Sequence, residues 1–318
     1  RDRSPSRGLG DVYKRQMQYI VMDLEWNNVY SIKRGGFMNE VIEIGAVRLD
    51  EQLCEIDAFS HLIKSQIGKR LRGHVRELTH LTNEDLQSGE PFTQTMAQFR
   101  KWVGNGPVTV LTWGDTDIRV LIENFKLLNG LETLPFLTYY ADLQKIVQAA
   151  LQLSTAQQTG LSAAAAMLGI GEDGLSLHRA LDDSILSAEC LRRVFSPALV
   201  EQFTLPCGDE FYERLRFKAY VISDIHSPKV DPEQLRCFCD QCGREAQQKS
   251  EWVFTCRAFR AKFFCPHCER LLRHTVRFKQ YYDRLDVHRK TVYIEPPKKD
   301  EEQAPTTAPA CAESGLKS

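Results

Sequence analysis

The sequence predicts an α/β protein in which a mixed β-sheet flanked by helices is followed by a small cysteine-rich domain. Two observations carry this. Three β-type segments come in succession and are followed by strands alternating with helical segments. Six of the ten cysteines then crowd between positions 237 and 268. A change of charge marks the same division: residues 236–290 hold 13 Lys/Arg against 6 Asp/Glu, whereas the whole chain has a net charge of −1.

Tyr19–Glu25 (YIVMDLE) is a short apolar run closing on carboxylates, as a buried strand would. Val41–Leu49 and Cys54–Lys64 follow as β-rich segments between polar turns. Phe92, Met96, Phe99 and Val103 form one helical stripe, and Pro107 closes that segment. Val108–Thr112 reads as a buried strand, and Asp117–Leu128 returns to helical spacing through Val120, Leu121, Phe125 and Leu128. Phe136–Leu143 is expected to be a last strand leading into a helix. Leu161–Leu168 is helical by propensity, and Leu181–Val194 is a final amphipathic helix. The first domain is therefore expected over 17–196, with a connecting region at 197–235, the cysteine-rich domain at 236–295 and a disordered tail at 296–318, which has no aromatic residue.

Residues 1–16 are expected to be foreign to the protein. SRGLGDVYKRQ at 6–16 reads as the translation of a transposon-type sequencing adapter, so Met17 is taken as the native start. The segment carries five Lys/Arg and two Asp/Glu; without it the charge moves from −1 to −4, and no basic arm is invoked. A hydrophobic content of 42% with 26% charged residues places the chain among globular proteins. No apolar run reaches the roughly 18 residues of a membrane span, and no export signal follows Met17. A cytoplasmic protein without membrane association is expected, and a reducing compartment favours metal ligation by clustered cysteines over disulfides.

Acidic residues recur at the ends of the predicted strands. Asp23 and Glu25, two apart on a strand, point to the same face, where they repel unless a cation lies between them. Asp115 and Asp117 follow the 108–112 strand in LTWGDTDIRVL, and His178-Arg-Ala-Leu-Asp182-Asp183 opens the last helix. Taken singly, each has a plain structural reading: a solvated strand end, or acids complementing a helix dipole.

Together, D-x-E on the first strand, an aspartate opening a helix and H-x(4)-D at the last helix resemble the DEDDh 3′-to-5′ exonucleases. Val41–Val47, HLTNEDL at 80–86 and GLSAAAAMLGI before His178 add to the resemblance, which covers 17–196. It implies an RNase H-like fold in which Asp23, Glu25, Asp117 and Asp183 hold two Mg²⁺ or Mn²⁺ ions and His178 is the general base. Asp117 fits the family's helix start better than Asp115, and Asp183, not Asp182, completes H-x(4)-D. Hydrolysis of a phosphodiester needs an activated water, neutralised phosphorus and a stabilised leaving oxygen, which two hard cations about 3.5–4 Å apart can supply. Hard cations take carboxylate oxygens, and an imidazole accepts a proton near neutral pH. Nucleoside 5′-monophosphates are the expected products, from single-stranded RNA or DNA, with RNA weakly preferred.

Relatives carry a small hydroxyl residue directly after the first-strand glutamate, where this chain has Trp26. Trp26 and Trp113 are candidate substrate contacts, by stacking on a base, or else core tryptophans.

Cys239-x2-Cys242 and Cys265-x2-Cys268, with 22 residues between the pairs, are expected to close on one structural Zn²⁺ as a zinc ribbon. The spacer exceeds the usual stretch of about 15–20 residues, which a β-hairpin through 252–264 would absorb. Cys237 and Cys256 are expected to be core or free thiols. Arg257, Arg260, Lys262, Arg270, Arg273, Arg277 and Lys279 interleave with aromatic residues, the combination that binds single-stranded nucleic acid. The competing reading makes the aromatics the ribbon's own core. Two other functions stay open: a nucleic-acid-binding protein with a vestigial nuclease fold, and a nuclease subunit whose ribbon docks a protein partner.

Overall fold

The computed structural model describes residues 18–154, 158–172 and 174–294. The expected adapter segment at 1–16, Met17 and the expected tail at 296–318 lie outside them. The chain divides into two units between Arg216 and Phe217.

In the first unit, β1 (Gln18–Ser31) and β2 (Gly36–Leu49) form a long antiparallel hairpin, and β3 (Glu55–Leu62) pairs antiparallel with β2. On the other side of β1 lie β4 (Val108–Thr112) and β5 (Tyr139–Asp142), both parallel to their neighbours. The sheet is thus mixed, in the order β3-β2-β1-β4-β5-β6, with β6 (Thr204–Pro206) antiparallel to β5.

Side chains alternate along β1, so each face feeds a different core. Ile20, Met22 and Leu24 pack with α3 (Phe92–Val103) and α4 (Thr116–Leu128). Tyr19 and Val21 pack on the opposite face with α5 (Leu143–Ala150), α6 (Leu161–Met167) and α7 (Ala180–Val194). Two short helices, α1 (Gly73–Thr79) and α2 (Asn83–Ser88), were not legible as periodic patterns because each spans only about two turns. A capping box starts α2: the Asp85 amide donates to Thr82 Oγ1 (3.1 Å) and the Thr82 amide to Asp85 Oδ2 (2.7 Å).

The segment expected to be a connector is folded. Helix α8 (Pro197–Phe203), β6 and α9 (Asp209–Arg216) complete the first unit, and Phe211 and Tyr212 enter its core. The Leu134 amide donates to the Tyr212 hydroxyl at 3.1 Å. The 136–143 strand is therefore not the last one; a three-residue strand is too short to show a period of two.

The second unit is also a six-stranded sheet, of path β12-β11-β10-β8, with β7 on β11 and β9 on β10. Its strands are β7 (Tyr220–Val221), β8 (Gln247–Gln248), β9 (Val253–Thr255), β10 (Ala258–Cys265), β11 (Arg270–Gln280) and β12 (Leu285–Tyr293). Its fold starts earlier than the expected 236: β7 pairs with β11, and Ile222 and Val230 join Phe259, Val276 and Phe278 in one cluster. The expected hairpin is present as β9–β10, turning at Cys256 and Arg257, both at positive φ (48° and 56°). Of the aromatics, Phe259, Phe263 and Phe278 are buried and Trp252 packs on them, whereas Phe254 is exposed and Phe264, Tyr281 and Tyr282 are half-buried.

Candidate active site and cysteine cluster

The alternation that buries Tyr19 and Val21 on one face of β1 brings Asp23 and Glu25 to that same face, just past the apolar section. Opposite them on β2 stand Gly45 and Glu43. Helix α7 crosses here so closely that a Cβ built on Gly45 would lie 2.1 Å from Ala180 C and Leu181 N. Ser184 Oγ seals the crossing by donating to the Gly45 carbonyl at 3.0 Å. Glycine is what lets the first turn of α7, and Asp183 with it, reach the carboxylates of β1.

Just ahead of α7, His178 is exposed and holds φ at +64°, a conformation uncommon outside glycine. Glu25, His178 and Asp183 each offer a ligand atom within 4.8 Å of the others. Arg179 turns back instead to the buried Glu43, with Nη2 2.7 Å from Oε1 and Nε 3.1 Å from both oxygens.

Asp117 comes from the opposite side of β1. The β4–α4 turn carries Gly114 at φ +83°, and the Tyr140 hydroxyl donates to its carbonyl at 2.8 Å. The turn places Asp117 in the first turn of α4, where it is buried. Its Oδ1 is buried without a hydrogen-bond partner. Asp115 goes elsewhere: its Oδ2 pairs with Arg119 at 2.8 Å on the surface. Asp182 likewise turns away, accepting from the Ser176 amide at 3.1 Å.

Convergence raises the proton affinity of all four acids. Burial, then the charges of Asp117, Asp183, Glu25 and Glu43, hold Asp23 well above the usual carboxylate range. Burial, then Asp183, Glu43 and Asp117, push Glu25 up to about 8 against the pull of Arg179. Burial raises Asp117 to about 7 against the lowering pull of the nearby backbone at Asp117 and Leu24, and burial also raises Asp183. Four acids that resist ionisation together, one with an orphaned buried oxygen, make a hard-oxygen set suited to divalent cations.

The candidate substrate contacts are less concentrated. Trp26 is half-buried against the core, and Trp113 Nε1 donates to the Thr159 carbonyl at 2.9 Å, so both indoles are engaged in packing. Arg257, Arg260 and Lys262 belong to the second unit, on the β9–β10 turn and on β10. Glu43 and Gly45 were not singled out from the sequence, although both lie in the stretch that carried the resemblance.

In the second unit, the thiols of Cys239, Cys242, Cys265 and Cys268 lie within 4.8 Å of one another, with Cys242 and Cys265 Sγ 3.6 Å apart. Burial alone would raise the Cys265 thiol, but backbone N–H groups of Cys268 and His267 and the thiols of Cys242 and Cys239 bring it down to about 7. That turn favours a thiolate at Cys265, while hydrogen bonding to Cys242 and burial push the Cys268 thiol up to about 12, and the four sulfurs together could hold one metal ion. Cys237 is buried beside the cluster, and Cys256 is exposed in the hairpin turn.

The family model described as "Exonuclease" (RNase_T) matches residues 20–191. Among solved structures, the chain is similar to a full-length 3′-exonuclease at 22% identity, with a TM-score of 0.48, covering 55% of this chain and 59% of that one. It is similar to the nuclease domain of 3′hExo, described as a DEDDh family member bound to rAMP, at 23% identity and a TM-score of 0.49, covering 57% and 92%. A third is a 3′-exonuclease described as recognising the 3′ end of a histone mRNA stem-loop, at 20% identity, a TM-score of 0.48, and 60% and 65% coverage. This chain spans less than two thirds of the first and third of these chains. No curated protein matches it in sequence. Among the described residues, no helix is long and apolar enough to cross a membrane.

Proposed function

The chain belongs to the RNase_T exonuclease family, and from that premise we propose that it removes nucleotides from the 3′ end of single-stranded nucleic acid. RNA is the favoured substrate and nucleoside 5′-monophosphates are the products. The observation that carries this reading is the gathering of Glu25, His178 and Asp183 within 4.8 Å of one another, beside Asp23 and Asp117, whose charges raise each other's proton affinity, with a buried oxygen of Asp117 left unpartnered.

Those four residues would hold two Mg²⁺ or Mn²⁺ ions. When bound, the ions supply Lewis acidity toward the scissile phosphate and the attacking water. The chain's own part is positional and acid–base. The carboxylates on β1 and the two helix starts fix where a phosphate can be neutralised. His178, exposed beside Glu25 and Asp183, is placed to accept the water's proton on an imidazole nitrogen. Its left-handed backbone accompanies a ring that lies beside both carboxylates. Arg179 neutralises Glu43, so the site's excess negative charge stays on the residues that would bind metal.

Cys239, Cys242, Cys265 and Cys268 would hold one Zn²⁺. A set of four thiolates offers no open position, so its role is structural.

The test uses 5′-labelled RNA and DNA single strands of one sequence with Mg²⁺ or Mn²⁺. A ladder shortening from the 3′ end, absent with EDTA and in Asp23→Ala and Asp117→Ala, is expected. Strands that stay full length, with duplexes and short oligonucleotides equally inert, would overturn the assignment.

A further inference from the structure

Six cations share one face of the second unit's sheet. On β10, Arg260 and Lys262 alternate with buried Phe259, Ala261 and Phe263. On β11, Arg273, Arg277 and Lys279 alternate with buried Leu272, Val276 and Phe278. The register puts Lys262 opposite Arg273, and Thr275 between Arg260 on one side and Lys290 of β12 on the other. Lys262, Arg273, Arg277 and Lys290 are exposed. Among the described residues, none of the six forms an ion pair with a carboxylate. The acid on this face, Asp286, lies opposite Lys279 and pairs with Arg284 Nε at 3.1 Å.

Like charges directly opposite each other on neighbouring strands destabilise a sheet. Lys262 facing Arg273 is such a pair, and an external anion is what relieves it. Along β11, Arg273 and Arg277 stand four residues (about 13 Å) apart with Thr275 between them, Arg277 and Lys279 stand two residues (about 7 Å) apart, and neighbouring strands lie about 4.8 Å apart. This is an extended lattice, matched to a linear polyanion and not to a single anionic group. The large aromatic rings of β10 and β11 mostly face the other way; Phe264, on the cationic side, is half-buried with Lys249 Nζ 5.9 Å from its ring centre, and Tyr281, just past β11, is taken up by Lys279 Nζ at 4.7 Å and Arg284 Cζ at 4.2 Å from its ring centre.

We infer that this face binds the phosphate backbone of the nucleic acid that the first unit trims, without stacking on its bases and without reading its sequence. The inference rests on the proposed function only for the identity of the polyanion. Binding of this kind is salt-dependent, each phosphate contact to a single strand contributing about 0.7 to the slope of log K against log salt.

The experiment measures anisotropy of a fluorescein-labelled RNA single strand, titrated with the full chain over a salt series without added divalent cation. Under those conditions the active site holds no divalent ion that would draw the strand, so the cationic face dominates. Arg273→Gln/Arg277→Gln is expected to flatten the slope by about 1.4, and Lys290→Gln alone by about 0.7. Strands of different sequence should bind alike. The double variant Lys229→Gln/Arg244→Gln, equal in charge change and off this face, should leave the slope unchanged. With Mg²⁺, Arg273→Gln/Arg277→Gln should raise KM on a long strand and leave turnover of a dinucleotide intact. Zinc content and thermal midpoint report that each variant is folded.

An unchanged slope in both face variants overturns the inference, as does an equal loss in the control pair. Binding of polyglutamate in preference to nucleic acid overturns it in favour of an acidic protein partner. A flattened slope in a protein that shortens no strand would sink the proposed exonuclease and leave the nucleic-acid face standing.

Discussion

Arg179 grips the buried Glu43 through two nitrogens, Nη2 at 2.7 Å and Nε at 3.1 Å, one residue after the exposed His178. The pair ties the entry of α7 to β2 and offsets a fifth carboxylate beside four others. Arg179→Ala leaves Glu43 buried and uncompensated, so divalent cations must work against more repulsion or a bent helix entry. We expect the metal concentration for half-maximal activity to rise by about 10-fold or more, in the range of lost outer-shell partners. Adding Glu43→Gln should recover part of it, and a double variant no better than Arg179→Ala would show that the pair acts only through local folding.

Gly45→Ala tests the helix crossing. The added methyl would lie 2.1 Å from backbone atoms of Ala180 and Leu181, which cannot swing aside as a side-chain end can. A loss of about 3 kcal/mol in urea unfolding is expected, at the upper end of overpacking costs. Activity should fall beyond what the unfolded fraction explains, since α7 carries Asp183.

The two aspartates of the β4–α4 turn should separate cleanly. Asp115→Asn removes a surface ion pair with Arg119, worth less than about 1 kcal/mol, and should leave activity near wild type. Asp117→Asn should lower kcat by at least on the order of 100-fold, as loss of one electrostatic stabiliser does. Comparable activities for the two variants would contradict the site as described.

Proton linkage sets the pH dependence of the metal-free protein. Glu25 rises from an ordinary value of 4.5 to about 8 and Asp117 from 3.8 to about 7. The folded state then binds more protons than the unfolded state between about pH 4 and 8, so stability falls as pH rises through that window. Thermal midpoints of the chelated protein should drop from pH 5 to pH 8, and Mg²⁺ or Mn²⁺ should restore them most at pH 8. A midpoint flat across that range in chelator would remove the coupling.

Zinc should follow the cluster and not the cysteine count. Cys239→Ser is expected to lose the bound zinc and unfold the second unit, because metal binding there is folding free energy. Cys237→Ala should keep one equivalent by mass spectrometry, with only a packing loss, since Cys237 lies outside the four-thiol set.

Much of the site was legible because it follows short-range rules. Asp23 and Glu25 share a face through strand alternation alone, and His178 and Asp183 sit at one helix entry. The boundaries at 196 and 236 were not legible. Strand β6 has three residues and β7 two, and both exist only because a neighbouring edge pairs with them. In the second unit the order of Arg260, Lys262 and their aromatic neighbours was visible, but its meaning depended on which face the core lay against.

The sequence by itself determined the mixed α/β class, the acidic set with its histidine, and the two cysteine pairs. Each of these is encoded in a spacing of a few residues, which backbone geometry converts directly into a shared face or a shared turn. Only the tertiary structure decided that Arg179 clamps Glu43, that Gly45 admits α7, that Asp117 points inward while Asp115 meets Arg119, and that Arg260, Lys262, Arg273 and Arg277 lie on the face opposite the buried Phe259, Phe263 and Phe278. Those relationships join residues as far apart as 136 positions, as Glu43 and Arg179 are, and they are set by packing between elements, which no local spacing encodes.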